Sequence, residues 1–128
     1  MKIYVLGVCG TFMGGLAQLA VQKGFEVAGC DENAYPPMSN VLAEQGITVD
    51  QGFSAKNISN DIDLYVIGNV VSRGNPMMEE ILKQRLKFIS GPQFLTDLIL
   101  EDRHVIAISG THGKTSTTAL VSHIFQFN

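Results

Sequence analysis

The sequence predicts an α/β fold: a Rossmann-like, mostly parallel sheet flanked by helices, followed by the first strand, loop and helix of a second unit. Three observations carry this. Short apolar runs end in glycine, as in Ile3-Tyr4-Val5-Leu6-Gly7 and Leu64-Tyr65-Val66-Ile67-Gly68, which is how strands buried on both faces read. Stretches of helical period alternate with those runs, the pattern of a parallel sheet with crossover helices. Gly7 to Gly15, Asp31, Gly68 to Asn75 and Gly110 to Thr115 all fall after predicted strands, and open α/β sheets bind ligands there.

The elements follow in order. Ile3 to Leu6 is a strand, and Leu16, Leu19, Ala20 and Lys23 then share a helix face that Gly24 ends. Phe25 to Cys30 is a second strand. Pro36-Pro37 keeps the loop from Asp31 to Met38 non-helical. Ser39 is expected to cap a short helix ending at Gly46. Ile47 to Val49 reads as a weak third strand, and Ser54 as the cap of one turn over 55–58. Leu64 to Gly68 is a strong strand. Asn75-Pro76 sets a cap and a first-turn proline in order, with Met78, Ile81, Leu82 and Arg85 on one face. Lys87 to Ile89 is a strand, and Pro92 opens a helix burying Phe94, Leu95, Leu98 and Ile99. A last strand, Val105 to Ile108, leads into a glycine loop and a helix over Ala119 to Ile124. The boundary between the two units is expected at 103/104.

Composition narrows the functional classes. The 128 residues are 45% hydrophobic, enough for a real core, and the formal net charge is −3. That charge predicts neither a nucleic-acid face nor a membrane-surface patch. The apolar run at the N-terminus is too short for a signal or a membrane span. Cys9 and Cys30 lack a disulfide-framework spacing, so both are expected as free thiols in the cytoplasm.

The clearest motif is Gly110-Thr111-His112-Gly113-Lys114-Thr115, with Ser116 after it. It follows an apolar strand and opens a helix. Backbone N–H groups in such a loop converge on phosphate, the lysine offsets β/γ charge and the Thr115 hydroxyl reaches Mg²⁺. ATP and Mg²⁺ are therefore the expected cofactors. Ile108 stands where the longer form of the motif has a glycine. No second strand with an acid can follow before Asn128, so the chain is expected to be the front of a larger ATP-using enzyme. By itself it should be catalytically silent, with no catalytic residue of its own and no cofactor required. His112 is ambiguous, and His104 and His123 have no ligand-spaced partner.

The first glycine loop, Gly7-Val8-Cys9-Gly10-Thr11-Phe12-Met13-Gly14-Gly15, also lies between a strand and a helix. It is not the dinucleotide fingerprint: read from Gly7, Cys9 and Phe12 stand where glycines belong, and read from Gly10, Phe12 stands second. Backbone N–H groups of this loop can meet a diphosphate, and Gly14 and Gly15 are expected at the helix N-terminus presenting theirs. The alternative is a turn that only allows tight packing. Asp31 either accepts hydrogen bonds from a ribose or base, or is a solvated loop acid beside Glu32. Asn69 and Arg73 follow the fourth strand, and Arg73 could grip a phosphate or carboxylate.

Taken together these motifs resemble the Mur ligase family of cell-wall enzymes, and within it the branch that recycles murein peptides. The matching segments are Leu6 to Ala17, Tyr35-Pro36-Pro37-Met38-Ser39, Gly68-Asn69 with Arg73-Gly74-Asn75-Pro76, Ser90-Gly91-Pro92-Gln93, and the loop Gly110 to Thr115. The resemblance implies three domains in the parent and an ATP-dependent, amide-forming reaction through an acyl phosphate. It implies that 1–103 binds UDP-N-acetylmuramate through Gly10, Thr11, Phe12, Met13, Gly14, Gly15, Asp31, Asn69 and Arg73. It further implies that 104–128 begins the ATP domain, with Thr115 on Mg²⁺, and that a murein tripeptide is the second substrate. The branch that adds L-alanine to the same UDP-sugar, and a nicotinamide-dependent oxidoreductase domain, remain as alternatives. Residues 105–128, severed from their sheet, are expected to pair with a second copy as a homodimer rather than fold back.

Overall fold

A computed structural model describes residues 1–101. Five strands form one sheet in the order β3-β2-β1-β4-β5, all pairs parallel: β1 (Lys2–Leu6), β2 (Glu26–Asp31), β3 (Thr48–Gln51), β4 (Leu64–Ile67) and β5 (Phe88–Ser90). The helices are α1 (Thr11–Gln22), α2 (Met38–Glu44), α3 (Pro76–Lys83) and α4 (Gly91–Phe94), the last continuing as a π-helical turn over Leu95–Ile99. The predicted last strand, the loop Gly110 to Thr115, the final helix and the expected dimer contact lie outside the described residues.

Alternation along β1 divides the core into two layers. Ile3 and Val5 pack with Leu16, Ala17, Ala20, Leu42, Leu64, Val66, Phe94 and Ile99, under α1, α2 and α4. Tyr4 and Leu6 point the other way, onto Cys30, Tyr65, Met77, Met78 and Ile81 under α3. Period-2 strand geometry sends neighbouring side chains to opposite faces, so a central strand must be apolar throughout. Tyr4 is buried here because its hydroxyl donates to Asp50 Oδ2 on β3, 2.7 Å away. Burial is the main cause that pushes its ionisation well above the ordinary tyrosine value.

Local expectations held where side chain and backbone agreed. Asn75 caps α3, its Oδ1 accepting from the N–H groups of Met77 and Met78 at 3.0 and 3.2 Å. Ser54 accepts from Lys56 N ahead of a 3₁₀ turn, Ala55–Asn57. Gly24 and Gly46 adopt φ of +98° and +81° just past α1 and α2, the left-handed exit that glycine favours. Several details differ, beginning with β2 and β5, which lie one residue further along the chain than expected. Ser39 is not a cap: Pro37 holds the cap position, two residues earlier, so that α2 begins at Met38, and Ser39 N donates to the Tyr35 carbonyl. Arg85 is not on α3: it follows the helix in a left-handed turn with φ of 54°. The third strand is Thr48–Gln51, shifted toward the C-terminus because pairing with Ala28–Asp31 of β2 sets its register.

Candidate ligand cleft at the carboxyl edge of the sheet

The chain winds from β1 outward to β3, then returns to the other side of β1 for β4 and β5. The loops after β1 and β4 therefore diverge at the centre of the sheet, the switch point where open α/β sheets form a crevice. A cleft of about 390 Å³ opens there, lined by Gly7, Cys9, Gly10, Asp31, Glu32, Asn33, Phe53, Val70 and Asn75. A second hollow adjoins it, sharing Gly7, Gly10 and Val70 and adding Thr11, Phe12, Met13, Gly68 and Asn69.

Gly7 turns the chain out of β1 with φ of +83°, and the N–H groups of Gly7 and Val8 donate to the Cys30 carbonyl at 2.8 and 3.1 Å. α1 then starts at Gly10 with no side-chain cap and no acidic residue in its first turn. The N–H groups of Thr11, Phe12 and Met13 have no intrahelical acceptor, and the positive end of the helix dipole adds to them. The expectation that Gly14 presents its N–H to a ligand does not hold, because that group donates to the Gly10 carbonyl at 2.7 Å. Gly14 instead allows close approach: a Cβ there would sit 2.8 Å from Met38 Sδ and 3.1 Å from the Val8 carbonyl oxygen. Gly15 is turned away from the cleft, toward an apolar hollow with Leu16, Leu19 and Leu95.

Asp31 is not a solvated loop acid. It is 7% exposed, and its two oxygens accept from the backbone N–H groups of Cys9 at 3.0 Å and Asn33 at 2.9 Å. It thus ties the loop after β1 to the loop after β2, while still forming part of the cleft wall. The Cys9 thiol is pushed up by burial first and by Asp31 second, and Cys30 is pushed up to about 12, chiefly by burial. Both are free.

Asn69 reaches the second hollow. Arg73 lines neither hollow. Its side chain is 79% exposed and pairs with Glu79, Nε to Oε1 at 2.9 Å, while the Gly74 N–H donates to the same oxygen at 2.7 Å. Phe53 and Val70 were not singled out from sequence. Phe53 stands just past β3, so the rule that ligands gather at strand ends would have found it had that strand been placed correctly. Gly110, Thr111, His112, Gly113, Lys114, Thr115 and Ser116 lie outside the described residues. Among the described residues no cluster of His, Cys, Asp or Glu could hold a metal ion.

The sequence pattern described as the Mur ligase family, catalytic domain, matches residues 2–103. The chain belongs to the Mur ligase family. It is 51% identical over 126 residues to an Escherichia coli K12 protein named UDP-N-acetylmuramate–L-alanyl-γ-D-glutamyl-meso-2,6-diaminoheptandioate ligase, covering 98% of this chain and 28% of that one. A UDP-N-acetylmuramate–L-alanine ligase of Clostridium acetobutylicum is 39% identical over 123 residues, covering 96% of this chain and 26% of that one. Among solved structures, a murein peptide ligase from Psychrobacter arcticus 273-4 superposes with a TM-score of 0.95 at 46% identity, over 99% of this chain and 26% of that chain. The chain thus spans roughly a quarter of the length of the Mur ligases it matches.

Proposed function

We propose that this chain is the UDP-N-acetylmuramate-binding front part of an ATP-dependent ligase that joins the UDP-sugar to a murein peptide. One observation carries the proposal most strongly. An uncapped helix start, with three N–H groups lacking an intrahelical acceptor, opens into a cleft at the switch point of a Mur ligase sheet. Such a start suits a diphosphate. The N–H groups of Thr11, Phe12 and Met13 receive the charge, Gly10 leaves the approach clear, and Gly14 lets the helix sit close behind. Asp31 and Phe53 line the neighbouring cleft, where the uridine goes. Asp31 accepts two N–H bonds and a carboxylate has room for more. Asn69 adds a polar contact beside the diphosphate. Arg73 joins only by leaving Glu79.

The recycling branch is favoured over the L-alanine branch by identity, 51% against 39%. A nicotinamide site is disfavoured by Cys9 and Phe12 where the fingerprint needs glycine. Gly110 to Thr115 and Ser116 would take ATP, with Thr115 toward Mg²⁺. ATP would phosphorylate the carboxylate of UDP-N-acetylmuramate with release of ADP, and an amine of the murein tripeptide would attack the acyl carbon of that acyl phosphate and displace inorganic phosphate. Among the described residues no helix is long and apolar enough to cross a membrane, and a UDP-sugar substrate places the reaction in the cytoplasm. Isothermal titration of the chain with UDP-N-acetylmuramate, UDP, NAD and NADP tests the reading. Binding of the UDP compounds in competition, without the nicotinamides, is expected. Binding of NAD or NADP alone overturns it.

A further inference from the structure

Two segments singled out in the sequence, Gly68-Asn69 and Ser90-Gly91-Pro92-Gln93, meet at one side chain. Met13 is 5% exposed, although it belongs to the first turn of α1 at the edge of the cleft. A Cβ added to Gly91 would lie 2.6 Å from Met13 Sδ and 3.3 Å from its Cε, and 3.1 Å from Phe12 Cε1. A Cβ added to Gly68 would meet the Leu6 carbonyl oxygen at 2.7 Å first and Met13 Cγ at 3.2 Å beside it. The two glycines thus form a notch that the methionine fills. Gly91 has no left-handed φ, so its backbone does not demand glycine; the missing Cβ is what makes room for the thioether. The notch wall is itself held. Ser90 caps α4, its Oγ accepting from Gln93 N at 3.2 Å, and a proline stands in the first turn of that helix.

We propose that Met13 is a positioning residue. Seated between Gly68 and Gly91, it fixes where the first-turn N–H groups of α1 point, and so sets affinity for the diphosphate. The inference rests on the reading that this helix start takes the UDP-sugar. Met13 contributes its backbone N–H to the ligand and its side chain to the loops after β4 and β5. Through it, the loops after β4 and β5 hold the donors that follow β1. Donors fixed before binding need less ordering when the ligand arrives.

Gly91→Ala is the probe. The added methyl meets the flexible end of Met13 and a rim atom of Phe12, not backbone, so the fold should persist while the methionine is displaced. Two readouts are taken on the 128-residue chain: calorimetric affinity for UDP-N-acetylmuramate, and amide resonances of Thr11 and Phe12 without ligand. Gly91→Ala should weaken binding about tenfold, the size of one charge-assisted hydrogen bond lost, and should shift both amides with the thermal midpoint nearly unchanged. In a Met13→Ala background the same substitution should cost little and leave the two amides where they were, because the clashing side chain is gone. Unchanged affinity and amides in Gly91→Ala would overturn the inference. So would an equal loss in both backgrounds. If the unsubstituted chain fails to bind the UDP-sugar, the proposed function falls, and the amide shifts alone then decide whether Met13 positions the turn.

Discussion

Helices α1 and α3 leave neighbouring parallel strands and begin at the same edge of the sheet, yet their first turns are completed in opposite ways. α3 is satisfied from within. Asn75 accepts from two N–H groups, Pro76 removes a third donor, and Glu79 brings negative charge to the positive end. Glu79 also gathers the preceding loop, accepting from Gly74 and Arg73. α1 has none of this. Gly10 carries no side chain, the first turn holds no acid, and its donors are left over. A helix start finished by its own side chains serves the fold, whereas one left open needs a partner. The contrast separates a structural loop from a binding loop without appeal to any bound molecule. It also explains why Arg73, attractive as an anion grip in the sequence, sits on the structural side.

The largest expected effect comes from the one α1 glycine that has become structural. Gly14→Ala forces a methyl against Met38 and the Val8 carbonyl, and overpacking of this kind costs about 1–3 kcal/mol. Urea unfolding should show it, and an unchanged midpoint would mean that Met38 yields freely. On α3, Asn75→Ala removes a cap and should cost about 1 kcal/mol. The loss should be partly recovered by Asn75→Asp, and an equal loss in both variants would show that the cap is not the cause. Gly15→Ala should act in the opposite direction. A Cβ there meets nothing within 4 Å, so replacing a mid-helix glycine should stabilise by roughly 0.5–1 kcal/mol. If it destabilises instead, Gly15 has a neighbour that the geometry does not reveal. The smallest effect concerns Glu79. Its carboxyl is held below the ordinary value of 4.5, first by the Arg73 hydrogen bond and then by the Gly74 N–H. A depressed folded-state value means stability present at neutral pH and lost as pH falls below 4.5 through that lower value. Glu79→Gln should flatten this part of the stability–pH curve slightly, since the pair is exposed and screened. A curve that does not change would show the pair to be without consequence.

Much of this contrast was legible in the residues. Asn75-Pro76 with Glu79 spells out a capped start, and a capped start uses only local chemistry. The strands β1 and β4 were legible because central strands must be apolar on both faces. What escaped depended on distant partners. β3 is an edge strand whose register is set by β2, so its sequence is weakly patterned, and Phe53 at its end escaped with it. Ser39 has the chemistry of a cap, but the turn through Pro36-Pro37 starts the helix two residues sooner. The burial of Asp31 follows in part from the Cys9 N–H, which only the folded loops bring to it, beside the local N–H of Asn33. Gly14 and Gly15 look alike in sequence, and only the packing of Met38 distinguishes them. The cleft itself could be placed from strand ends, while the pairing of Arg73 with Glu79 that keeps it out of the cleft could not.

The most direct test of the α1–α3 contrast is amide shift mapping of the chain titrated with UDP-N-acetylmuramate. The resonances of Gly10, Thr11, Phe12 and Met13 should move most, those of Met77 and Met78 should stay in place, and UDP alone should reproduce the larger shifts. Saturable movement confined to Met77, Met78 and the Arg73–Gly74 loop, with Gly10 to Met13 unmoved, would contradict the account.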